Sequence, residues 1–137
     1  GIIGEKARVI VGQSVGMDGS IEWLDGESDE KVSLPSDYEL EMGSHVLAIN
    51  GDVWEHMLHS KLTSTSFEKY VAVFGRCSPN DKVSIVDYAV RQGTITSFCG
   101  DGGNDCGALK TASIGVALSD AEASIVSPFT SLDKSPR

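Results

Sequence analysis

Thr94-Ile95-Thr96-Ser97-Phe98-Cys99, then Gly100-Asp101-Gly102-Gly103-Asn104-Asp105, then Cys106-Gly107-Ala108-Leu109-Lys110-Thr111-Ala112 and Ile114-Gly115-Val116-Ala117 form the run of sequence that decides the fold. The first six residues are rich in β-branched side chains and predict a strand; the glycine-rich loop breaks it, a helix spans about Cys106 to Ala112, and a short strand follows. The same order stands upstream. Tyr70-Val71-Ala72-Val73-Phe74 predicts a strand, Gly75 to Ser78 a loop, and Pro79 the first turn of a helix that runs to about Gln92 and ends at Gly93. Further back, Val46-Leu47-Ala48-Ile49 predicts a strand ending in Asn50-Gly51-Asp52, with Asp52 capping a helix that carries Trp54, Met57, Leu58 and Leu62. Strands alternating with helices through short loops imply an α/β fold with a parallel sheet, whose ligands bind at the carboxyl ends of the strands.

The first third is less regular. Gly1-Ile2-Ile3-Gly4 reads like a helix-to-strand turn without its helix, before the strand Ala7-Arg8-Val9-Ile10-Val11. From Gly12 to Ser36 the composition turns to Gly, Ser, Asp and Glu around Ser20-Ile21-Glu22-Trp23-Leu24, which predicts a hairpin or an excursion at the sheet edge. The stretch from Ser127 to Pro136 reads as a linker leaving the domain.

Twenty acidic side chains against eleven basic ones, a formal charge of -9, would repel an extended phosphate backbone or an anionic membrane, so nucleic acid is not an expected partner. Cys77, Cys99 and Cys106 form no CxxC pair and leave one thiol over, which points to a reducing compartment rather than a disulfide framework. His56 and His59 lack the second close ligand pair that tetrahedral zinc needs, and read as helix surface. No apolar run approaches the roughly 20 residues that span a bilayer, and residues 1–5 lack the features of a signal peptide, so the chain is expected to be soluble.

Chemistry concentrates in two loops. Asp101 and Asp105, with Asn104, offer hard oxygen donors in a loop whose glycines let the backbone approach a ligand closely. Magnesium prefers one or two carboxylates plus waters and phosphate oxygens, which fits Asp101 as ligand and Asn104 and Asp105 as orienting groups; Asp105 as a plain helix cap is the alternative. A calcium EF-hand fails because Gly103, Cys106 and Ala112 stand where it needs a ligand, a glycine and a glutamate, and a dinucleotide fingerprint fails because its third glycine falls on Asp105. In the other loop, Lys82 lies in the first turn of a helix just past a strand end, where an ammonium can neutralise a phosphoryl group, although a lone lysine there is usually just solvated. Arg76, just before this loop's cap, is a weaker candidate of the same kind, with a surface ion pair to an acid as the alternative.

At these two loops the sequence resembles the haloacid dehalogenase-like superfamily, and within it the phosphorylation domain of P-type ATPases, pumps that form an aspartyl-phosphate. Lys82 matches the family's phosphate-contacting lysine, Asp101 its magnesium aspartate, and Asn104 and Asp105 the pair in its Gly-Asp-Gly-x-Asn-Asp loop, in which Gly102 also lies. The run Cys99 to Ala112, Ser119-Asp120-Ala121-Glu122-Ala123-Ser124 and Ser127-Pro128-Phe129-Thr130-Ser131 look like the fifth branch of these ATPases, particularly its endolysosomal, polyamine-associated subgroup. The resemblance covers about residues 38 to 131 and implies a three-layer Rossmann-like fold, here incomplete.

It further implies that residues 1–126 are the C-terminal part of a phosphorylation domain and 127–137 a linker towards a membrane helix. Lys82, Asp101, Asn104 and Asp105 would be the catalytic set, with Asp101 and Asp105 at the metal, Lys82, Gly102 and Asn104 at the phosphate, and magnesium and ATP as cofactors of the whole enzyme. Two family parts are missing. The nucleophile strand Asp-Lys-Thr-Gly-Thr is absent, since Asp81-Lys82-Val83 and Asp133-Lys134-Ser135 follow no suitable strand, and Asn50-Gly51-Asp52 resembles the Thr-Gly-Asp loop only superficially. The partners implied are therefore the nucleophile strand, nucleotide-binding domain and membrane domain of one longer chain, facing the cytosol at a lysosome- or vacuole-like endomembrane. Alone, the chain is expected to be inactive, and a missing central strand exposes apolar surface, so self-association is expected. Two rivals remain: a small stand-alone phosphatase of the same superfamily, and a non-enzymatic interaction module.

Overall fold

The computed structural model describes residues 6–60, 67–101, 103–118 and 129–130, which fall into two compact units, residues 1–77 and 78–137. The α/β class and the mostly parallel strand pairing are as expected, with the strands in two sheets.

In the first unit β1 (Arg8–Val15) runs parallel to β4 (His45–Asn50), which runs parallel to β5 (Val71–Gly75). The polar stretch after β1 folds back as the antiparallel strands β2 (Ile21–Asp25) and β3 (Lys31–Val32), so the hairpin expected between residues 12 and 36 is present at the sheet edge. The sheet order is β3-β2-β1-β4-β5. β1 continues four residues beyond its expected end, with a register irregularity between Gly12 and Ser14.

Ile10 on β1, Leu47 and Ile49 on β4 and Trp23 on β2 bury one face of this sheet. Against β1 and β4 packs α2 (Gly51–His59), whose Val53, Trp54 and Met57 are buried; each large apolar side chain so buried contributes about 1.5–3 kcal/mol. The Trp54 and Phe74 rings meet edge-to-face with centroids 5.5 Å apart. The cap of α2 corrects one expectation: Asn50, not Asp52, is the N-cap, and its Oδ1 accepts from Val53 N–H while its Nδ2 donates to Gln13 O. Asn50 is still extended where it leaves β4, and only an extended residue can turn its side chain onto the first free N–H groups. Leu62 lies outside the described residues. α1 (Asp37–Glu41) starts with a capping box between Ser36 and Glu39.

Two polar ties shape the hairpin. Buried Asp25 accepts hydrogen bonds from the N–H groups of Glu27 and Ser28 and pairs with Arg8. His56, in the last turn of α2, lies 2.8 Å from Gly19 O; a carbonyl can only accept, so His56 Nε2 carries the hydrogen.

In the second unit α3 (Pro79–Arg91) begins as expected, with Pro79 at the first position after the Ser78 cap, and ends at Gly93. Gly93 takes the left-handed conformation (φ 81°), with Gly93 N–H bonded to Val90 O and Thr94 N–H to Ala89 O, the bond pair of a Schellman motif. β6 (Ser97–Gly100) is shorter than expected: Thr94, Ile95 and Thr96 lie outside it. The register with β7 (Ile114–Ala117) begins at Ser97 and Ile95 is 84% exposed, so among the described residues the β-branched run meets no half-buried surface there that would extend the strand. α4 (Cys106–Thr111) connects β6 to β7 and packs on both. Leu109 and Ala117 form this core with Phe98 against them. β8 (Phe129–Thr130), inside the stretch read as a linker, pairs parallel with β7.

Candidate functional site

Lys82 owes its place to the start of α3. Ser78 Oγ accepts from Asp81 N–H and Asp81 Oδ2 accepts from Ser78 N–H at 2.7 Å, a reciprocal box that fixes the first turn, and Lys82 is the fourth helical residue. At the end of β6, Gly100 leads into Asp101, and a short 3-10 turn at Gly103–Asp105 enters α4.

The second unit brings two of the expected site residues together: Lys82 Nζ donates to Asp105 Oδ1 at 2.7 Å. Asp105 occupies the N-cap position of α4 but makes no side-chain cap bond, so the plain helix-cap alternative does not describe it. Its carboxylate, only 8% exposed as a residue, is spent on Lys82. Sequence reasoning missed why Asp105 can be there. A Cβ on Gly100 would stand 2.6 Å from Asp105 Cβ and 2.8 Å from its Oδ2, so the bare backbone of Gly100 makes room for the carboxylate.

Asp101 is exposed, and no hydrogen bond or ion pair is found for its carboxylate among the described residues. Asn104 is likewise exposed. Gly102 lies outside the described residues. A single open carboxylate fits magnesium, which keeps most of its waters and takes one or two protein oxygens; Asp105 uses Oδ1 for Lys82, which leaves Oδ2 as the oxygen it could offer. Among the described residues no group of three metal-ligating side chains occurs.

The first unit holds a groove of about 360 Å³ lined by Val11, Gln13, Ala48, Asn50, Val73 and Arg76 among others. Arg76 is exposed in a left-handed conformation (φ 50°), and no acid pairs with it among the described residues, so the ion-pair alternative is not seen there.

No family model matches the chain. Over 106 residues, 77% of this chain, it is 40% identical to the probable cation-transporting ATPase catp-6 of Caenorhabditis elegans, of which it spans 8%. The chain belongs to the P-type ATPases. Over 59 residues, 43% of the chain, it is 54% identical to the polyamine-transporting ATPase 13A2 of Mus musculus and spans 5% of it. Over 95 residues, 64% of the chain, it is 37% identical to the vacuolar cation-transporting ATPase YPK9 of Saccharomyces cerevisiae and spans 6% of it. The chain therefore spans less than a tenth of these P-type ATPases. The catalytic domain of the CPx-ATPase CopB-B superposes on 78% of the chain, and on 46% of that domain, at 25% identity with a TM-score of 0.39, a likeness too loose to add to the argument. Among the described residues no helix is long and apolar enough to cross a membrane.

Proposed function

We propose that this chain supplies the magnesium and phosphate half of the aspartyl-phosphate site of a longer, cation- or polyamine-transporting P-type ATPase, and that alone it does not hydrolyse ATP. The observation that carries the reading is Lys82 held 2.7 Å from Asp105 in the turn that follows Asp101. Asp101 would be the magnesium ligand, with Asn104 and Gly102 towards the phosphate. Magnesium, when bound, would supply positive charge against the phosphoryl oxygens. Lys82 offers a cation already aimed by a buried carboxylate, which reduces the reorganisation needed when phosphoryl charge arrives. Asp105, expected near the metal, orients that cation.

In this reading residues 1–126 are part of one phosphorylation domain and 127–137 lead towards a membrane helix. The nucleophile, the nucleotide-binding domain and the membrane domain would come from the rest of the polypeptide, at an endomembrane with this part facing the cytosol. The separate chain is expected to self-associate, a reading supported by β5 and β6 each standing last in the strand order of its sheet among the described residues.

A magnesium titration of amide NMR spectra, followed by inorganic phosphate, tests the reading. Shifts confined to residues around Asp101, Asn104 and Lys82, lost in Asp101→Ala, are expected. No magnesium response would favour the interaction module, and turnover of an aryl phosphate that disappears in Asp101→Ala would favour the stand-alone phosphatase.

A further inference from the structure

The contact between α3 and α4 lies immediately beside the Lys82–Asp105 pair. A Cβ built on Gly107 would stand 2.6 Å from Val83 Cγ2, closer than real Cβ contacts come, and Gly107 is the second residue of α4 after the Asp105 cap position. Val83 directly follows Lys82 on α3, and as a β-branched residue it has little rotamer freedom with which to turn its methyl away. Ordinary van der Waals contact begins near 3.4 Å, so any side chain at position 107 forces the two helices, or Val83, about 0.8 Å apart. The Lys82–Asp105 bond is 2.7 Å long; where the helices part along the line of that bond, a displacement of that size takes it to about the limit of a hydrogen bond.

We propose that Gly107 and Val83 are positioning residues: the missing side chain at 107 lets α3 dock closely enough for Asp105 to hold the Lys82 ammonium. Its importance for phosphoryl transfer rests on the reading of Lys82 and Asp105 given above, but the geometry stands without it. Glycine inside a helix is otherwise unfavourable relative to alanine, so Gly107→Ala in an uncrowded helix would raise the melting temperature. Here it lowers it.

The test uses Gly107→Ala, Val83→Ala and the double variant of the 137-residue chain, with labelling of each lysine by reductive methylation read by peptide mass spectrometry. In the parent chain Lys82, covered by its partner, labels more slowly than Lys31, whose side chain is 77% exposed. Gly107→Ala brings Lys82 to the rate of Lys31 and leaves the other lysines unchanged; Val83→Ala leaves Lys82 slow. The double variant, with the opposing methyl removed, returns Lys82 to the parent rate and recovers the melting temperature. An unchanged Lys82 rate in Gly107→Ala, or a double variant that does not recover whether folded or not, overturns the proposal. Should Gly107→Ala fail to fold, a folded double variant with slow Lys82 supports it. A magnesium titration of the parent chain reports on the functional reading separately, since its failure leaves the lysine rates interpretable.

Discussion

Replacing Lys82 by Met keeps the apolar stem of the side chain and removes the ammonium, its charge and its hydrogen-bond donors together, so it isolates the pair with Asp105. Ion pairs on a surface contribute about 0–1 kcal/mol, whereas removing one partner of a buried pair costs about 3–5 kcal/mol because the other charge is stranded. This pair lies between those limits and is lopsided: the Lys82 side chain is 34% exposed and that of Asp105 only 11%. Lys82→Met strands the buried carboxylate and should cost about 1.5–2.5 kcal/mol after allowing for solvent screening at the lysine end. Asp105→Asn leaves an ammonium that can reach water and an amide oxygen that can still accept its hydrogen bond, and should cost about 1 kcal/mol or less. Urea unfolding of the two single variants and the double, followed by amide signals of α3 and α4, gives the coupling directly, expected at about 1 kcal/mol. A coupling indistinguishable from zero, or an Asp105→Asn variant less stable than Lys82→Met, would refute the arrangement from which these magnitudes are worked.

Three further outcomes follow from packing, capping and charge. Gly115→Ala would place a Cβ 2.5 Å from Leu109 O, a backbone atom of α4 that cannot step aside alone; overpacking of this kind costs about 1–3 kcal/mol, read as a fall in the melting temperature. Asn50→Ala removes both the α2 cap and the tie to Gln13 O and should cost about 1–2 kcal/mol in denaturant unfolding. The N–H groups of Glu27 and Ser28, and then Arg8, hold the Asp25 carboxyl below its usual range. A depressed carboxyl favours the fold above the unfolded value and loses that contribution as pH falls through the folded one, so Asp25→Asn should flatten the fall in stability below about pH 4; an acid limb as steep as the parent's would contradict it.

The alternation of strands and helices was legible because its punctuation is local: Ser78, Pro79 and Gly93 bound α3 by their own backbone preferences. Thr94-Ile95-Thr96 was misleading because β-propensity measures fit to a half-buried surface, and the register with β7 begins at Ser97; Thr96 gives its carbonyl to Ile114 N–H and exchanges side-chain-to-backbone bonds with Ser113. Asn50 and Asp52 are equally good capping residues on paper. Which one caps depends on where β4 stops pairing, and Asn50 is still aligned with Gly75 of β5. At the site, Lys82 and Asp105 were legible as residues through the family resemblance, but not as partners, since 23 residues separate them. Gly107 carried a signal that went unused, because a glycine within a six-residue helix needs a reason.

His56 binds the tip of the hairpin at Gly19 from a helix 37 residues away along the chain. The turn between β1 and β2 can close early, since its own bonds span only a few residues, whereas this bond must wait until β4 has found β1 and α2 has settled on them. It is therefore a late lock on an early element. The turn should open in native-state hydrogen exchange together with α2, as one cooperative unit, rather than fraying alone as hairpin tips commonly do.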